Sequence, residues 1–247
     1  MRKCFLLLSL YFMAQISFAQ TAFEIVKKSE DLLRGETSQG SFTMTVVTPD
    51  YTRKLEMDSW WVGNEKALIV IRSPKREAGN KTLKIGTEMW QFLKNTETTI
   101  KIPPSMMLQS WNGSDFTNDD LVRESNLYED YDLELLGEEI VENENCWKIK
   151  MTPNEGVAVV WGNLFYWVRK SDNLPAKVDF YDEKDKYIRS IQYTDYKVLG
   201  GRKTPTRHIM VNKVKVGHRT EFIVHDIKFD IVISDRIFSF RELERGN

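Results

Sequence analysis

The stretch MWQFLKNTETTIKIPPSMMLQSWNGSDFTNDDL, from Met89 to Leu121, decides how the rest of the chain is interpreted. Its first part predicts two short strands. Pro103-Pro104 then ends the strand pattern, because proline has no backbone N–H to donate to a sheet. The following residues are apolar without a regular period, and strand-like sequence resumes only at Asp132. Because loops of this length usually carry a function, we interpret the stretch as an apolar flap over a cavity in a β-sheet protein. The alternative is a long surface loop anchored by a few buried side chains.

Residues 1–19 have the pattern of a secretory signal peptide. Arg2 and Lys3 precede the apolar run FLLLSLYF, and small residues stand at Ser17 and Ala19, the two positions that a signal peptidase reads. The apolar run is too short to span a bilayer. We therefore expect cleavage after Ala19 and export to the periplasm, with residues 20–247 forming a single domain.

Charge and cysteine content narrow the class of protein. The formal net charge of the chain is −1, and its signs are interspersed, so nothing indicates electrostatic binding to nucleic acid or polybasic attachment to anionic lipid. Removal of the leader would leave Cys146 as the only cysteine, without a partner for an internal disulfide. The fold must then depend on a hydrophobic core, and Cys146, in a strand-like run, is typical of a core residue.

The remaining pattern predicts one helix followed by strands. Apolar residues between Thr21 and Leu33 recur at three- and four-residue spacing, Thr21 and Glu24 form a capping-box pair, and Gly35 follows as a stop. After this helix, alternating runs separated by short polar turns predict about ten or eleven antiparallel strands. The tail from Ser234 to Leu243 is expected to dock on the sheet through Ile237, Phe238 and Phe240.

Motifs for catalysis or cofactor binding were not found. The chain has no zinc-protease motif, nucleophile elbow or phosphate loop. Four polar residues cluster in the long loop: Asp115, Asn118, Asp119 and Asp120. We interpret them as a helix N-terminus capped by Asn118, with a calcium site as the alternative, although EF-hand spacing is absent. We predict no cofactor, metal or catalytic residue, which favours a binding protein.

The segment Ile102–Leu121 closely resembles the signature of LolA-like outer-membrane lipoprotein-sorting proteins. MWQFL, from Met89 to Leu93, resembles the tryptophan-bearing strand before that signature, and ISDRIFSFREL, from Ile233 to Leu243, resembles the family's ending. The resemblance implies a mainly β fold: a strongly curved antiparallel sheet that forms an incomplete barrel, closed by an N-terminal helix and a helical or loop flap. Members of this lipoprotein-carrier superfamily bind acyl chains in the concavity and carry lipid-modified cargo through the periplasm. No catalytic residues are implied.

From this resemblance we expect a periplasmic carrier that binds the acyl chains of a lipoprotein or lipid for transport towards the outer membrane. The expected partners are the cargo and an inner-membrane transporter, with transient membrane contact, no nucleic acid and a monomeric state. The main alternative is a non-catalytic periplasmic interaction module or an adaptor of a membrane lipid exporter. A weaker alternative is a hydrolase of envelope glycans or lipids.

Alternation along the strands, together with the flap, predicts the lipid-contacting residues. The strand residues are Phe42, Met44, Val46, Leu55, Met57, Trp61, Leu68, Val70, Trp90 and Phe92. The flap residues are Met106, Met107, Leu108, Trp111 and Phe116. An error of one residue in the phase of any strand would move its side chains to the opposite face of the sheet.

Overall fold

The computed structural model describes residues 20–123, 127–157 and 161–245. The described helices are α1 (Ala22–Arg34), α2 (Asn118–Arg123), α3 (Leu127–Asp130) and α4 (Phe240–Glu244). Short 3-10 turns occur at Lys94–Thr96, Pro104–Met106, Trp111–Gly113 and Asp235–Phe238. Within the described ranges, no helix is both long enough and apolar enough to cross a membrane.

The strands form two consecutive meanders. The first contains β1 (Thr37–Val47), β2 (Thr52–Val62), β3 (Lys66–Ser73), β4 (Lys81–Ile85), β5 (Glu88–Leu93) and β6 (Thr98–Lys101). The second contains β7 (Tyr131–Val141), β8 (Glu144–Pro153), β9 (Leu164–Arg169), β10 (Pro175–Tyr181), β11 (Tyr187–Leu199), β12 (Arg202–Asn212) and β13 (Arg219–Phe229). The described residues thus hold thirteen strands rather than the expected ten or eleven.

All thirteen strands belong to one antiparallel sheet, in the order β6-β5-β4-β3-β2-β1-β13-β12-β11-β10-β9-β8-β7. The two meanders meet where β1 pairs with β13, which places the first and last strands side by side. The edges of the sheet are β6 and β7, so the sheet is not closed into a barrel. This arrangement confirms the predicted mainly β, incomplete-barrel fold.

Helix α1 covers one half of the sheet, as its sequence pattern predicts. Thr21 Oγ1 accepts a hydrogen bond from Glu24 N (3.2 Å), and Glu24 Oε2 accepts one from Thr21 N (2.9 Å), which completes the capping box. The buried residues Ile25 and Val26 pack on the core formed by the second meander. The face of the sheet that α1 covers is called the inner face below.

The strand order also determines how the chain runs from β6 to β7, and the described residues of this connection, 102–123 and 127–130, are called the crossing segment. Because β6 and β7 lie at opposite edges, the chain that joins them has to pass across the whole sheet. It passes over the inner face, where Trp111 packs on the first meander and Phe116 on the second. The stretch that the sequence marks as an anomalous loop is therefore a topological requirement of this fold.

The C-terminal tail covers the outer face of the first meander. Phe238 and Leu243 are buried against Leu83 and its neighbours on β3 and β5. Lys81 reaches the end of the tail, where its ammonium group donates to the carbonyl oxygens of Glu242 (2.7 Å) and Arg245 (2.6 Å). The expected docking of the tail is confirmed.

Two neighbouring phenylalanines of the tail provide a matched test. Phe238 is 5% exposed and Phe240 is 45% exposed. Removing a buried phenylalanine ring costs about 3–5 kcal/mol, so Phe238→Ala should lower the free energy of unfolding in urea by that amount. Phe240→Ala, which loses mainly an edge contact with Trp90, should have a clearly smaller effect. Equal losses for the two variants would contradict the assigned packing of the tail.

Candidate functional site

Trp111 attaches the crossing segment to the first meander. Its ring is 1% exposed and lies in a cluster with buried side chains of β1, β2 and β3. Its Nε1–H donates to Thr82 Oγ1 on β4 (3.2 Å), so the one polar atom of the ring is satisfied. Arg53 supports the adjacent turn by donating from Nη2 to Asn112 O (2.9 Å). Trp111 therefore fills the inner face of this half of the sheet with the protein's own side chain.

Further along, Asp115 and Phe116 attach the segment to β13 and β12. Thr220 Oγ1 accepts from Asp115 N and donates to Asp115 Oδ2, each at 2.9 Å. Asn212 Nδ2 donates to Asp115 Oδ1 (3.1 Å). The Phe116 ring meets the Phe222 ring edge-on, with 4.9 Å between the centroids. The segment is thus bound by polar and apolar contacts at the centre of the sheet.

A buried ion pair holds the end of the segment. Arg189 on β11 donates from both terminal nitrogens to the carboxylate of Asp120, with Nη1 at 2.6 Å from Oδ2. The two side chains are 3% and 6% exposed. The guanidinium also lies over the rings of Trp161 (4.1 Å) and Phe180 (4.4 Å). Bidentate geometry and aromatic stacking make this contact specific for arginine.

The acidic cluster of the loop is a helix N-terminus, as interpreted, but the cap is Thr117 rather than Asn118. Thr117 Oγ1 accepts from Asp120 N (3.2 Å), and Asp120 Oδ2 accepts from Thr117 N (2.7 Å). Helix α2 therefore begins at Asn118, one residue earlier than a cap at Asn118 implies, because Thr117 and Asp120 close the capping box. No group of three potential metal ligands occurs within residues 20–123, 127–157 and 161–245.

Between the crossing segment, the end of α1 and the centre of the sheet lies a cavity of about 240 Å³. Its lining is mainly apolar. The apolar lining residues include Leu33, Phe42, Trp61, Ile69, Trp111, Phe116, Leu121, Ile191, Phe222, Val224 and Ile227. The space therefore suits a hydrocarbon chain better than a polar metabolite.

A few polar side chains interrupt this apolar wall. Within the described part of the wall, Arg34 at the end of α1 is charged, and Ser59, Tyr193, Thr204 and His208 are neutral. Burial lowers the pKa of His208 to about 4, while a contact from its Nε2 to Pro205 O (3.2 Å) acts in the opposite direction. His208 is consequently uncharged at neutral pH.

The predicted strand residues of β1 and β2 all lie on the inner face, but they divide into two groups. Phe42 and Trp61 line the cavity, together with Trp111 and Phe116 from the crossing segment. The other four pack with Trp111 in a filled cluster: Met44, Val46, Leu55 and Met57. All six predicted residues of β1 and β2 therefore lie on the inner face, but in this conformation two of them line the cavity.

Four predicted strand residues are on the wrong face: Leu68, Val70, Trp90 and Phe92. Leu68 pairs with Trp60 and with Leu83, so it projects to the side opposite Trp61. All four pack on the outer face, beneath the tail residues Phe238 and Leu243. The error is a phase slip of one residue. The five consecutive residues 67–71 of β3 are all buried, so its apolar run shows no alternation.

The predicted flap residues at the start of the crossing segment lie near the β5 edge. Met106 and Met107 are partly buried against Met89 and Ile102. Leu108 is 59% exposed. None of these three belongs to the described cavity lining. Their position in this conformation does not test whether they contact a ligand, and that contact stays a prediction.

Sequence reasoning missed the half of the cavity that the second meander supplies. Tyr193, His208, Phe222 and Val224 lie on β11, β12 and β13, which pair with each other and with β1. Apolar and polar residues alternate along these strands in the sequence. Their place in the cavity wall, however, depends on the pairing of β1 with β13, which joins the two ends of the chain and which no local pattern indicates. Arg34, which ends α1, is likewise absent from the predicted binding residues.

Comparisons with known proteins agree with this architecture. A model of a family described as uncharacterized protein matches residues 63–245. No curated protein matches the chain. A crystal structure of a DUF1329 family protein from Desulfovibrio piger superposes with a TM-score of 0.82 at 22% identity, covering 90% of this chain and 97% of that one.

Two further crystal structures show the same fold. A domain from Vibrio parahaemolyticus named for outer-membrane lipoprotein sorting has a TM-score of 0.79 at 20% identity, covering 90% of this chain and 98% of the other. A LolA superfamily protein from Nitrosomonas europaea has a TM-score of 0.77 at 24% identity, covering 91% and 100%. The fold of the chain is therefore that of the LolA superfamily.

The Arg189–Asp120 pair gives a stability prediction for the crossing segment. Removing one partner of a buried ion pair costs about 3–5 kcal/mol, because the other charge is left uncompensated. We expect that loss for Asp120→Asn in urea unfolding, and a smaller loss for the double variant Asp120→Asn/Arg189→Met than the sum of the single losses. The control Asp31→Asn breaks an exposed pair with Lys27 and should change stability little. Additive losses would contradict direct coupling.

His208 gives a prediction for pH. Its pKa is about 4 in the folded protein and 6.5 ordinarily, so the unfolded chain takes up the proton first as the pH falls. Stability should therefore decrease from about pH 6.5 towards pH 4 and be unaffected by His208 above that window. Since one pKa unit corresponds to about 1.4 kcal/mol, the wild type should lose at least about 1.4 kcal/mol more than His208→Gln between pH 7 and 4. Identical pH profiles would refute the assignment.

Proposed function

We propose that this chain, which belongs to the family whose model matches residues 63–245 and has the fold of the LolA superfamily, is a lipid carrier. It binds an acyl chain in the cavity of its inner face and delivers a lipid or a lipid-modified protein through the periplasm towards the outer membrane. The N-terminal pattern at residues 1–19 supplies the export signal in this proposal, with cleavage after Ala19.

The observation that carries the proposal is an apolar cavity roofed by a separate segment of the chain. Aromatic and aliphatic side chains from both meanders converge on it, and Trp111, Phe116 and Leu121 of the crossing segment form its roof. Burying hydrocarbon yields about 0.8 kcal/mol per methylene. An acyl chain could thus be held without any specific polar group.

The size of the cavity indicates how a longer chain would be accommodated. Ligand pockets usually measure about 300–1,000 Å³, whereas this cavity is about 240 Å³. A long acyl chain would therefore need additional room, and the Trp111 ring occupies the adjoining part of the inner face. We infer that outward movement of the roof enlarges the site during loading. Such movement fits a segment attached at a few points rather than by strand pairing.

The carrier role requires no catalysis, and we assign no catalytic residue. Cys146 is buried, and burial raises the pKa of its thiol to about 11, so it is a poor nucleophile. The proposed partners are the acylated cargo and an inner-membrane transporter. Contact with membranes is transient and the protein acts as a monomer.

A second candidate function, an interaction module, is favoured by the edge strand β7. Among the described strands β7 pairs only with β8, and it exposes Leu135 (40%), Leu136 (44%) and Ile140 (74%). Edge strands with exposed apolar side chains are templates for a partner strand. An adaptor would use this edge and leave the cavity empty, so lipid binding distinguishes the two functions.

Two adjacent residues of β13 allow a specific test of the carrier role. Val224 lines the cavity, whereas Ile223 is 36% exposed and lies outside that lining. Val224→Trp should fill the space and weaken binding of a fluorescent fatty acid by about tenfold or more, a loss equivalent to roughly two methylenes. Ile223→Trp adds the same bulk outside the cavity and should bind like the wild type.

The same proteins should be extracted for mass spectrometry after purification from cells. We expect co-purifying lipid with the wild type and Ile223→Trp and a reduced amount with Val224→Trp. Wild-type protein that neither carries lipid nor binds the fluorescent fatty acid, while correctly folded, would exclude the carrier function.

A further inference from the structure

Among the described residues that line the apolar cavity, Arg34 is the one that carries a charge. Its Nε is buried and has no hydrogen-bond partner among the described residues. Glu30 forms an ion pair with Arg34. The distance of 3.6 Å between Glu30 Oε2 and Arg34 Nε is too long for a hydrogen bond. The cavity therefore contains a cation whose donors are not fully used.

Glu30 is a weak partner for this cation because it is engaged elsewhere. It is 6% exposed, and the hydroxyl of Tyr166 donates to its Oε1 (3.1 Å). The same hydroxyl lies 2.9 Å from Ser29 Oγ, so the carboxyl group is fixed beneath α1. Burial raises the pKa of Glu30 although the Arg34 charge acts to lower it. The buried Nε–H of Arg34 is thus left without an acceptor among the described residues, in the wall of an apolar cavity, although its charge lies near that of Glu30.

We propose that the natural ligand of the cavity has one acyl chain and an oxyanion head group, and that Arg34 binds this head group. The inference rests on the carrier function proposed above and defines its ligand class. A guanidinium binds the paired oxygens of a carboxylate or phosphate through two parallel hydrogen bonds. The same binding gives the buried Nε–H of Arg34 a charged acceptor, whereas a neutral lipid offers at most an uncharged one.

The surroundings of Arg34 agree with a polar end to the site. Thr204 and His208, which also line the cavity, carry side chains able to hydrogen-bond a head group. The acyl chain would extend from there along Phe42 and Phe222 towards Trp111. The rings of Phe42 and Phe222 are 5.5 Å apart and form a continuous apolar wall. The site is therefore amphipathic, like the ligand that we infer.

The inference is tested with three ligands of equal chain length at pH 8: palmitate, hexadecyl phosphate and uncharged methyl palmitate. Because a hydrogen bond to a charged group is worth more than a neutral one, the wild type should bind at least one anion about tenfold more tightly than the ester. The tighter of the two anions identifies the head group. Arg34→Met should lose this preference while binding methyl palmitate about as tightly as the wild type does.

Lys28→Met is the matched control. It removes one positive charge from the same helix at an exposed position outside the cavity, so the preference for anions should remain. Thermal unfolding confirms that each variant is folded. Equal affinity of the wild type for all three ligands, or an anion preference that persists in Arg34→Met, would overturn the head-group assignment and leave the carrier function intact. Failure to bind any of the three would overturn both.

Discussion

The antiparallel pairing of β1 with β13 at the centre of the sheet determines where the other parts of the chain lie. It places the two meanders side by side and leaves β6 and β7 as the outer edges. The connection between those edges then has to cross one face. An ordinary meander would join its strands by short turns and leave the inner face open. Here the topology itself supplies a cover, and the cavity is the space that this cover does not fill.

The cover is held by contacts of different kinds along its length. Trp111 fills a hydrophobic cluster, Asp115 hydrogen-bonds to β13, and Asp120 pairs with Arg189. Asp120 has two roles, because its carboxylate also completes the capping box of α2 with Thr117. The start of helix α2 and the attachment of the crossing segment therefore both depend on the carboxylate of Asp120. Each attachment is local, so the roof can be displaced in one part while it remains fixed in another.

The sequence was sufficient for features that depend on local chemistry. The capping box at Thr21 and Glu24, the proline pair that ends the first meander, and the phase of β1 and β2 all follow from neighbouring residues. The phase of β3 to β5 did not, because Leu68 and Val70 lie in a strand buried on both faces and the tail that covers them is distant in sequence. The cavity wall formed by β11 to β13 was also not predicted, because it meets β1 through a pairing of strands that are distant in sequence. Arg34 shows the limit most clearly, since only the folded chain brings the arginine at the end of α1 into the same cavity wall as His208 and Phe222.

The central β1–β13 pair also has a consequence for folding. The residues of β1 precede those of β13 by most of the chain, so their contacts close a very long loop, and such contacts form slowly. A chain that enters its compartment N-terminus first would have β1 without its second neighbour until β13 arrives. The tail that covers the outer face arrives later still. The centre of the sheet therefore cannot be completed until the chain as far as β13 is available, whichever strands of the first meander have paired earlier.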